Sequence, residues 1–185
     1  MLDTAKKNMI NDIDLDALGE TIEAIEKDAG CGRVEFGVTT EWTGQTRSES
    51  TVDGFTFGGE RIERRFKIIA DEPPELLGAN SAPNPQELLM SAVNACMMVG
   101  YVAQASIRDI TLTACRIETK GELDLRGFLG LADSVPPGYR RIDYMVTMEG
   151  NGTREQYEEI HKAVQATSPN FFNMAQPIEM NGTLA

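Results

Sequence analysis

The chain contains few of the residues that build metal sites and hydrolytic triads. Its 185 residues include one histidine, three cysteines and no Cys-x-x-Cys pair. Clusters of thiolate and imidazole ligands need more of both residues, so the sequence predicts no metal site and no other cofactor. His161 is the single histidine, and the sequence has no nucleophile-elbow motif whose serine it could activate. This argues against a Ser-His-Asp hydrolase.

Long apolar runs and excess positive charge are also missing. No apolar run is expected to span a bilayer, and the N-terminal MLDTAKKNMINDIDLD lacks the apolar stretch of a secretory signal. The net charge of −12 and the pI of about 4.5 should repel nucleic acid and acidic membranes at long range. We therefore expect a cytoplasmic protein that binds neither nucleic acid nor a membrane.

The hydrophobic periodicity predicts an α+β fold with mainly antiparallel sheets. Strands that alternate apolar and polar residues are interrupted by a few helices, and turn residues in TGQ and DGF are expected to break the early strands. The predicted elements are a helix over 14–28 between an Asp14 cap and a Gly30 stop, strands over 34–42, 61–69, 111–120 and 139–149, a helix over 85–106, a helix over 153–167 with a Thr153–Gln156 capping box, a short helix after Ser168-Pro169, and a last strand through Ile178 and Met180.

Two regions are expected along the chain. Residues 1–30 form an acidic helical extension after a frayed start over residues 1–12. Residues 31–185 form the main domain.

The helix over 85–106 is apolar around nearly its whole circumference, with Asn84 suited to cap it and Pro85 to begin it. Such a helix is expected to be central and covered on most sides. Cys96 lies in its middle. Composition alone favours Cys96 as a small buried hydrophobe.

The run Pro83-Asn-Pro-Gln-Glu-Leu-Leu-Met-Ser-Ala-Val-Asn-Ala-Cys96 resembles the signature helix of the osmotically induced and organic-hydroperoxide-resistance proteins, the OsmC/Ohr family. The order of elements extends the resemblance over roughly residues 33–183. It implies an OsmC-like fold, with sheets packed around a long buried central helix in an intertwined homodimer, and sites at the subunit interface. It also implies that Cys96 attacks an organic hydroperoxide as a thiolate and becomes a sulfenic acid.

Two positions depart from the pattern of the family's peroxidases. Ser168 stands where a second cysteine would resolve the sulfenic acid as a disulfide, so the resemblance then implies reduction by an external thiol. Ser168 is also suited to cap the short helix that begins at Pro169. Gln86 replaces a glutamate; Glu87 is a possible substitute acid, although it is better placed to favour the positive end of the helix dipole.

The thiolate-stabilising arginine that the resemblance implies has two candidates. Arg47, in Thr-Gly-Gln-Thr-Arg, follows a turn like that of the family, and Arg64 shares a predicted strand face with Phe66 and Ile68. A solvated surface charge is the alternative for each.

Other candidate residues have structural interpretations. We expect Cys115 in the core, Cys31 as an exposed bystander, and His161 packed on one face of its helix. Phe171, Phe172 and Met174 are predicted to be core, with one wall of a ligand pocket as the alternative.

Three functions follow in order of preference. The first is a thiol-dependent hydroperoxide reductase with Cys96 as peroxidatic residue and no internal disulfide. The second is a non-enzymatic dimer that binds a small hydrophobic ligand at its interface. The third is a purely structural role, resting on the N-terminal helix.

Overall fold

A computed structural model of the chain describes residues 8–184. The described residues divide into two compact units, one up to Leu89 (the N-terminal unit) and one from Met90 onwards (the C-terminal unit). The long helix α2 passes from one to the other. The predicted boundary at residue 30 does not coincide with this division and stays a prediction.

Helices are interspersed with antiparallel strands, as predicted for an α+β chain. In chain order they are β1 (Met9–Ile10), β2 (Ile13–Asp14), α1 (Leu15–Lys27), a 3-10 turn (Ala29–Gly32), β3 (Val34–Phe36), β4 (Thr39–Gly44), β5 (Arg47–Phe57), β6 (Glu60–Ala70), a 3-10 turn (Pro74–Leu76), α2 (Pro85–Ile107), β7 (Leu112–Gly121), α3 (Leu125–Phe128), β8 (Ile142–Gly150), α4 (Arg154–Thr167) and α5 (Pro169–Ala175).

The N-terminal unit is built on a four-stranded antiparallel sheet with β5 at its centre. β6 pairs along one edge of β5, while β3 and β4 pair end to end along the other. The TGQ turn is confirmed, because it joins β4 to β5. The predicted break at DGF is wrong: β5 continues through it, and the register shifts between Val52 and Gly54, where Gly54 has a φ of +147°.

One face of this sheet carries exposed aromatic side chains. The Phe36 and Phe55 rings stack at 5.6 Å, and the Arg64 guanidinium lies 4.7 Å from the Phe55 centroid and 5.6 Å from that of Phe66. Phe36 is 69% exposed and Phe66 57% exposed. Residues 8–184 therefore leave this face largely uncovered.

A loop between β6 and α2 is organised by one buried carboxylate. Asp71 accepts hydrogen bonds from the Thr46 and Ser81 hydroxyls and from the backbone N–H groups of Glu72, Ala79 and Ser81. These donors, led by Ser81, hold the pKa of Asp71 well below its usual range. The loop that leads into α2 is therefore ordered by its polar contacts.

The C-terminal unit packs α2 and α4 against the β7–β8 ladder. Its buried core consists of Met97, Tyr101, Ala105, Ile110, Ile160 and Val164. The inward side of β7 meets α2, because the Thr119 hydroxyl donates to Asn94 Oδ1 across 2.6 Å. β7 matches the predicted strand closely, whereas β8 begins three residues later than predicted.

Helix ends follow the predicted caps with one exception. Asp14 caps α1, Thr153 and Gln156 form the capping box of α4, and Ser168 caps α5 with Pro169 in its first position. The predicted Gly30 stop is wrong, since α1 ends at Lys27 with Asp28 as its C-cap.

Both chain ends differ from expectation. Residues 1–7 of the predicted frayed start lie outside the described part, and within the rest Met9–Ile10 form β1, which pairs with β2. The predicted last strand is wrong, because residues 176–184 form no strand. The alternation of apolar residues at Ile178 and Met180 does not produce a strand, because a strand also needs a neighbouring strand with which to pair.

Helix α2 is only partly covered in the single chain. Met97, Tyr101, Ala105 and Ser106 are its buried residues, whereas Val99 is 71% exposed. By length and composition α2 could cross a membrane, contrary to the sequence expectation, and just 17% of its most apolar window is buried. The predicted covering on most sides is therefore not met by one chain.

Candidate functional site

Cys96 and Ser168 are brought together in the C-terminal unit. Ser168 Oγ donates a hydrogen bond to Cys96 Sγ at 3.5 Å, although 72 residues separate the two in sequence. Cys96 is half-buried, and Ser168 is 5% exposed. The position that the family resemblance paired with Cys96 does lie against its sulfur, with a hydroxyl in place of a thiol.

The antiparallel packing of α2 against α4 sets this pair. Val164 packs directly on Gly100, so closely that a Cβ at position 100 would lie 3.2 Å from Val164 Cγ2. One turn earlier on α4, His161 Nδ1 lies 2.6 Å from the hydroxyl of Tyr101, the residue after Gly100 on α2. The two helices run in opposite directions, so the residue four positions before Gly100 lies beside the residue four positions after Val164. Cys96 therefore lies beside Ser168, the C-cap residue of α4.

A second contact ties the start of α5 to α2. The Asn170 side-chain amide donates to the Ala92 carbonyl at 2.9 Å. That carbonyl is also the acceptor for the Cys96 N–H in regular helical bonding. Sequence reasoning did not single out Asn170, and no local pattern marks it, since the contact spans 78 residues.

Cys115 lies at a different level of α2 from Cys96. It is four residues along β7 from Thr119, which contacts Asn94, and four strand residues span roughly 13 Å. The charge of the Cys115 thiolate contributes to the raised pKa of Tyr101, so Cys115 lies near Tyr101, and burial raises the pKa of the Cys115 thiol. Cys115 packs against the core, as predicted.

His161 belongs to a polar network inside the C-terminal unit. Its ring stacks on Tyr101 and lies 5.9 Å from the Tyr144 ring, whose hydroxyl accepts from Gln165 at 2.7 Å. Burial raises the pKa of Tyr101, with smaller contributions from Tyr144 and Cys115. Tyr101 therefore stays protonated and shares a hydrogen bond with His161, which is packed as predicted.

Two aromatic residues of α5 have different surroundings. Phe171 packs against the core and meets Tyr144 edge-on at 6.1 Å. Phe172 is 62% exposed and Met174 is 40% exposed, so the core prediction is wrong for these two. Their apolar surface is available to a ligand or to another chain.

The remaining predicted site residues lie in the N-terminal unit. Glu87 completes a capping box at the start of α2, since its carboxylate accepts from the Asn84 N–H while Asn84 Oδ1 accepts from the Glu87 N–H, each at 2.8 Å. Arg47 donates to Thr43 Oγ1 at 2.9 Å. Cys31 is half-buried beside Gly58, whereas the sequence predicted it exposed.

An unpredicted carboxylate lies close to the start of α2. Glu72 Oε2 is buried and has no hydrogen-bond partner among residues 8–184. Burial raises the pKa of Glu72, and the charges of Asp71 and Glu87 raise it further. The acidic Asp-Glu pair at the end of β6 is the only sequence signal that could have indicated it.

Metal binding finds no support in the described part of the chain. Over residues 8–184 no group of three or more histidine, cysteine or acidic side chains is arranged to hold a metal ion. All three cysteines are free.

Comparison with known proteins identifies relatives by family and by fold. A family model described as OsmC-like protein matches residues 78–181, more than half of the chain. No curated protein matches by sequence. An OsmC-like protein from Mycoplasma pneumoniae superimposes with a TM-score of 0.60 at 15% identity, over 76% of this chain and 87% of that one. An OsmC-like protein of unknown function from Vibrio cholerae gives 0.56 at 15% identity, over 74% and 91%.

Proposed function

This chain belongs to the OsmC-like protein family, and from that premise we propose that it is a thiol-dependent hydroperoxide reductase with Cys96 as its peroxidatic residue. The observation that carries the proposal is the half-buried Cys96 sulfur, which receives a hydrogen bond from the Ser168 hydroxyl inside the matched segment. A sulfur in this setting is held in one position, and a hydroxyl donor favours its charged form.

The proposed reaction needs only thiols and a hydroperoxide. The Cys96 thiolate attacks the distal oxygen of an organic hydroperoxide, so that an S–O bond forms, the O–O bond breaks, and the alkoxide leaves as an alcohol after taking a proton. Cys96 is thereby oxidised to a sulfenic acid. A first external thiol attacks the sulfenic acid and displaces water, which gives a mixed disulfide with Cys96. A second external thiol attacks this mixed disulfide, which releases the Cys96 thiol and joins the two external thiols in a disulfide.

The external thiol follows from the positions of the other cysteines. Cys115 is free and packs against the core near Tyr101. Ser168 lies within reach but has no sulfur. The proposed cycle therefore uses no internal disulfide.

We also propose a homodimer. The apolar side of α2, with Val99 71% exposed, and the sheet face around Phe36 and Phe66 both need cover in water. Members of the family are soluble proteins, which favours a second copy over a lipid bilayer as that cover. Light scattering tests the dimer: about 20 kDa, the mass of one chain, would contradict it.

The main alternative is a non-enzymatic dimer that binds a small hydrophobic molecule at its interface. The loss of the glutamate at position 86 and of the cysteine at position 168 favours it, as does the engagement of Glu87 in a helix cap. The exposed Phe172 and Met174 would suit such a ligand.

The cytoplasmic location also stays a prediction.

One experiment separates the two functions. The reduced protein is mixed with cumene hydroperoxide and dimedone, and the adducts are mapped by mass spectrometry. Labelling at Cys96 together with peroxide loss supports the reductase, and Cys96→Ser should abolish both while Cys115→Ser and Cys31→Ser leave them intact. Unconsumed peroxide with Cys96 unlabelled would reject the enzyme and favour ligand binding.

A further inference from the structure

Ser168 is held more firmly than a surface cap requires. Its N–H donates to the Val164 carbonyl at 2.9 Å, and its own carbonyl accepts from the Phe172 N–H at 3.0 Å. Its side chain is almost wholly buried. Both the backbone and the hydroxyl oxygen are thus fixed at the junction of α4 and α5.

The hydrogen bonds of this hydroxyl have a defined direction. Ser168 Oγ accepts the Phe171 N–H at 3.4 Å as the N-cap of α5, which occupies an oxygen lone pair. A hydroxyl has one proton, and the acceptor within reach of it is Cys96 Sγ at 3.5 Å. The bond from Phe171 also polarises the O–H group and strengthens its donation.

The hydroxyl is in place before any reaction occurs. The close packing of Val164 on Gly100 and the Asn170 bond to the Ala92 carbonyl both fix α4 and α5 against α2. A donor held by the scaffold stabilises developing charge without reorganising during the reaction. A water molecule would first have to be ordered before it could donate the same hydrogen bond to the Cys96 sulfur.

We propose that Ser168 is a catalytic residue, whose hydroxyl stabilises the Cys96 thiolate and then the sulfenate formed from it. This inference rests on the proposed function. Serine at this position does two things at once: it supplies the donor, and it leaves the sulfenate without a neighbouring thiol. The sulfenate then persists until a thiol from solution reaches it, with the bonds exchanged as in the cycle above.

The test compares variants that lack the Ser168 hydroxyl with one that keeps a hydroxyl at this position. Ser168→Ala and Ser168→Gly both remove it, and glycine costs only a few tenths of a kcal/mol as an N-cap, so helix α5 should persist in the second variant. Ser168→Thr keeps the hydroxyl as a rescue. Thr167→Ala is the matched control, because that hydroxyl bonds the Ala163 carbonyl of its own helix.

Alkylation of Cys96 by iodoacetamide at neutral pH is measured first, followed by cumene hydroperoxide consumption. Removing one hydrogen bond to a charged sulfur should slow alkylation on the order of tenfold in Ser168→Ala and Ser168→Gly. Thr167→Ala should match the unaltered protein. Equal alkylation rates in the unaltered protein and both hydroxyl-free variants would overturn the role of Ser168.

The two proposals fail in different ways. Alkylation requires no peroxide, so an unaltered protein that ignores cumene hydroperoxide yet alkylates faster than Ser168→Gly contradicts the reductase, while the stabilisation of the Cys96 thiolate by Ser168 stands. A protein that consumes peroxide equally well with and without the hydroxyl contradicts the role of Ser168 alone.

Discussion

The hydroxyl of Tyr101 and Nδ1 of His161 lie 2.6 Å apart inside the C-terminal unit, with Tyr101 fully buried. Tyr101→Phe removes the hydroxyl and leaves the His161 ring nitrogen without this partner. We expect a loss of about 1–2 kcal/mol in the free energy of unfolding, measured by urea denaturation. A double-mutant cycle with His161→Leu should give a coupling of about 1 kcal/mol; a coupling near zero would show that the contact contributes nothing.

Ser168→Cys should create an internal disulfide. The Ser168 oxygen is 3.5 Å from Cys96 Sγ, so a sulfur at that position needs only small rotations to reach bonding distance. After one equivalent of hydroperoxide, two of the four thiols should disappear without dimedone labelling, as read by mass spectrometry. The pair Ser168→Cys, Cys96→Ser is the control and should form no such bond, whereas Ser168→Cys, Cys115→Ser should form it.

Gly54 and Gly37 offer a matched pair in the N-terminal unit. A Cβ at Gly54 would lie 2.4 Å from the Ile62 carbonyl oxygen and its φ is +147°, while a Cβ at Gly37 meets nothing within 4 Å. Gly54→Ala should destabilise the fold by roughly 1–3 kcal/mol, and Gly37→Ala should stay within about 0.5 kcal/mol. Similar melting curves for the two variants would contradict the requirement for glycine at the bulge.

Glu72→Gln should stabilise the protein at neutral pH. Burial and two neighbouring carboxylates raise the pKa of Glu72 above its usual 4.5, so the folded state favours the protonated form. Stability contributed by that proton is present below pH 4.5 and lost as the pH rises through the raised pKa.

The gain from Glu72→Gln should therefore be on the order of 1 kcal/mol at pH 7 and near zero at pH 4, measured by denaturation across that range. Glu75→Gln makes the same charge change at an exposed position of the same loop. If Glu75→Gln gives an equal gain, net charge and not the buried oxygen is responsible.

Local sequence patterns predicted the elements well wherever one residue type decides a boundary. The capping box at Thr153 and Gln156 and the Ser168-Pro169 start of α5 were confirmed because caps act within three residues. The DGF segment was misjudged because glycine serves a turn and a bulge equally well, and only the pairing with β6 distinguishes them.

Contacts between distant segments were less accessible. The pairing of Tyr101 with His161 spans 60 residues, and that of Asn170 with Ala92 spans 78. The place of Ser168 beside Cys96 was indicated only through resemblance to a family. The unpartnered oxygen of Glu72 depends on how its loop folds around Asp71, which no periodicity encodes.

The uncovered side of α2 has a consequence for the concentration at which the protein is stable. In a dimer that covers Val99, part of the apolar burial belongs to association, so unfolding of the assembled protein yields two chains. Each tenfold dilution then lowers the stability of the dimer by about 1.4 kcal/mol. In such a dimer the melting temperature should fall on dilution, and the stability of the fold would vary with the concentration of the protein.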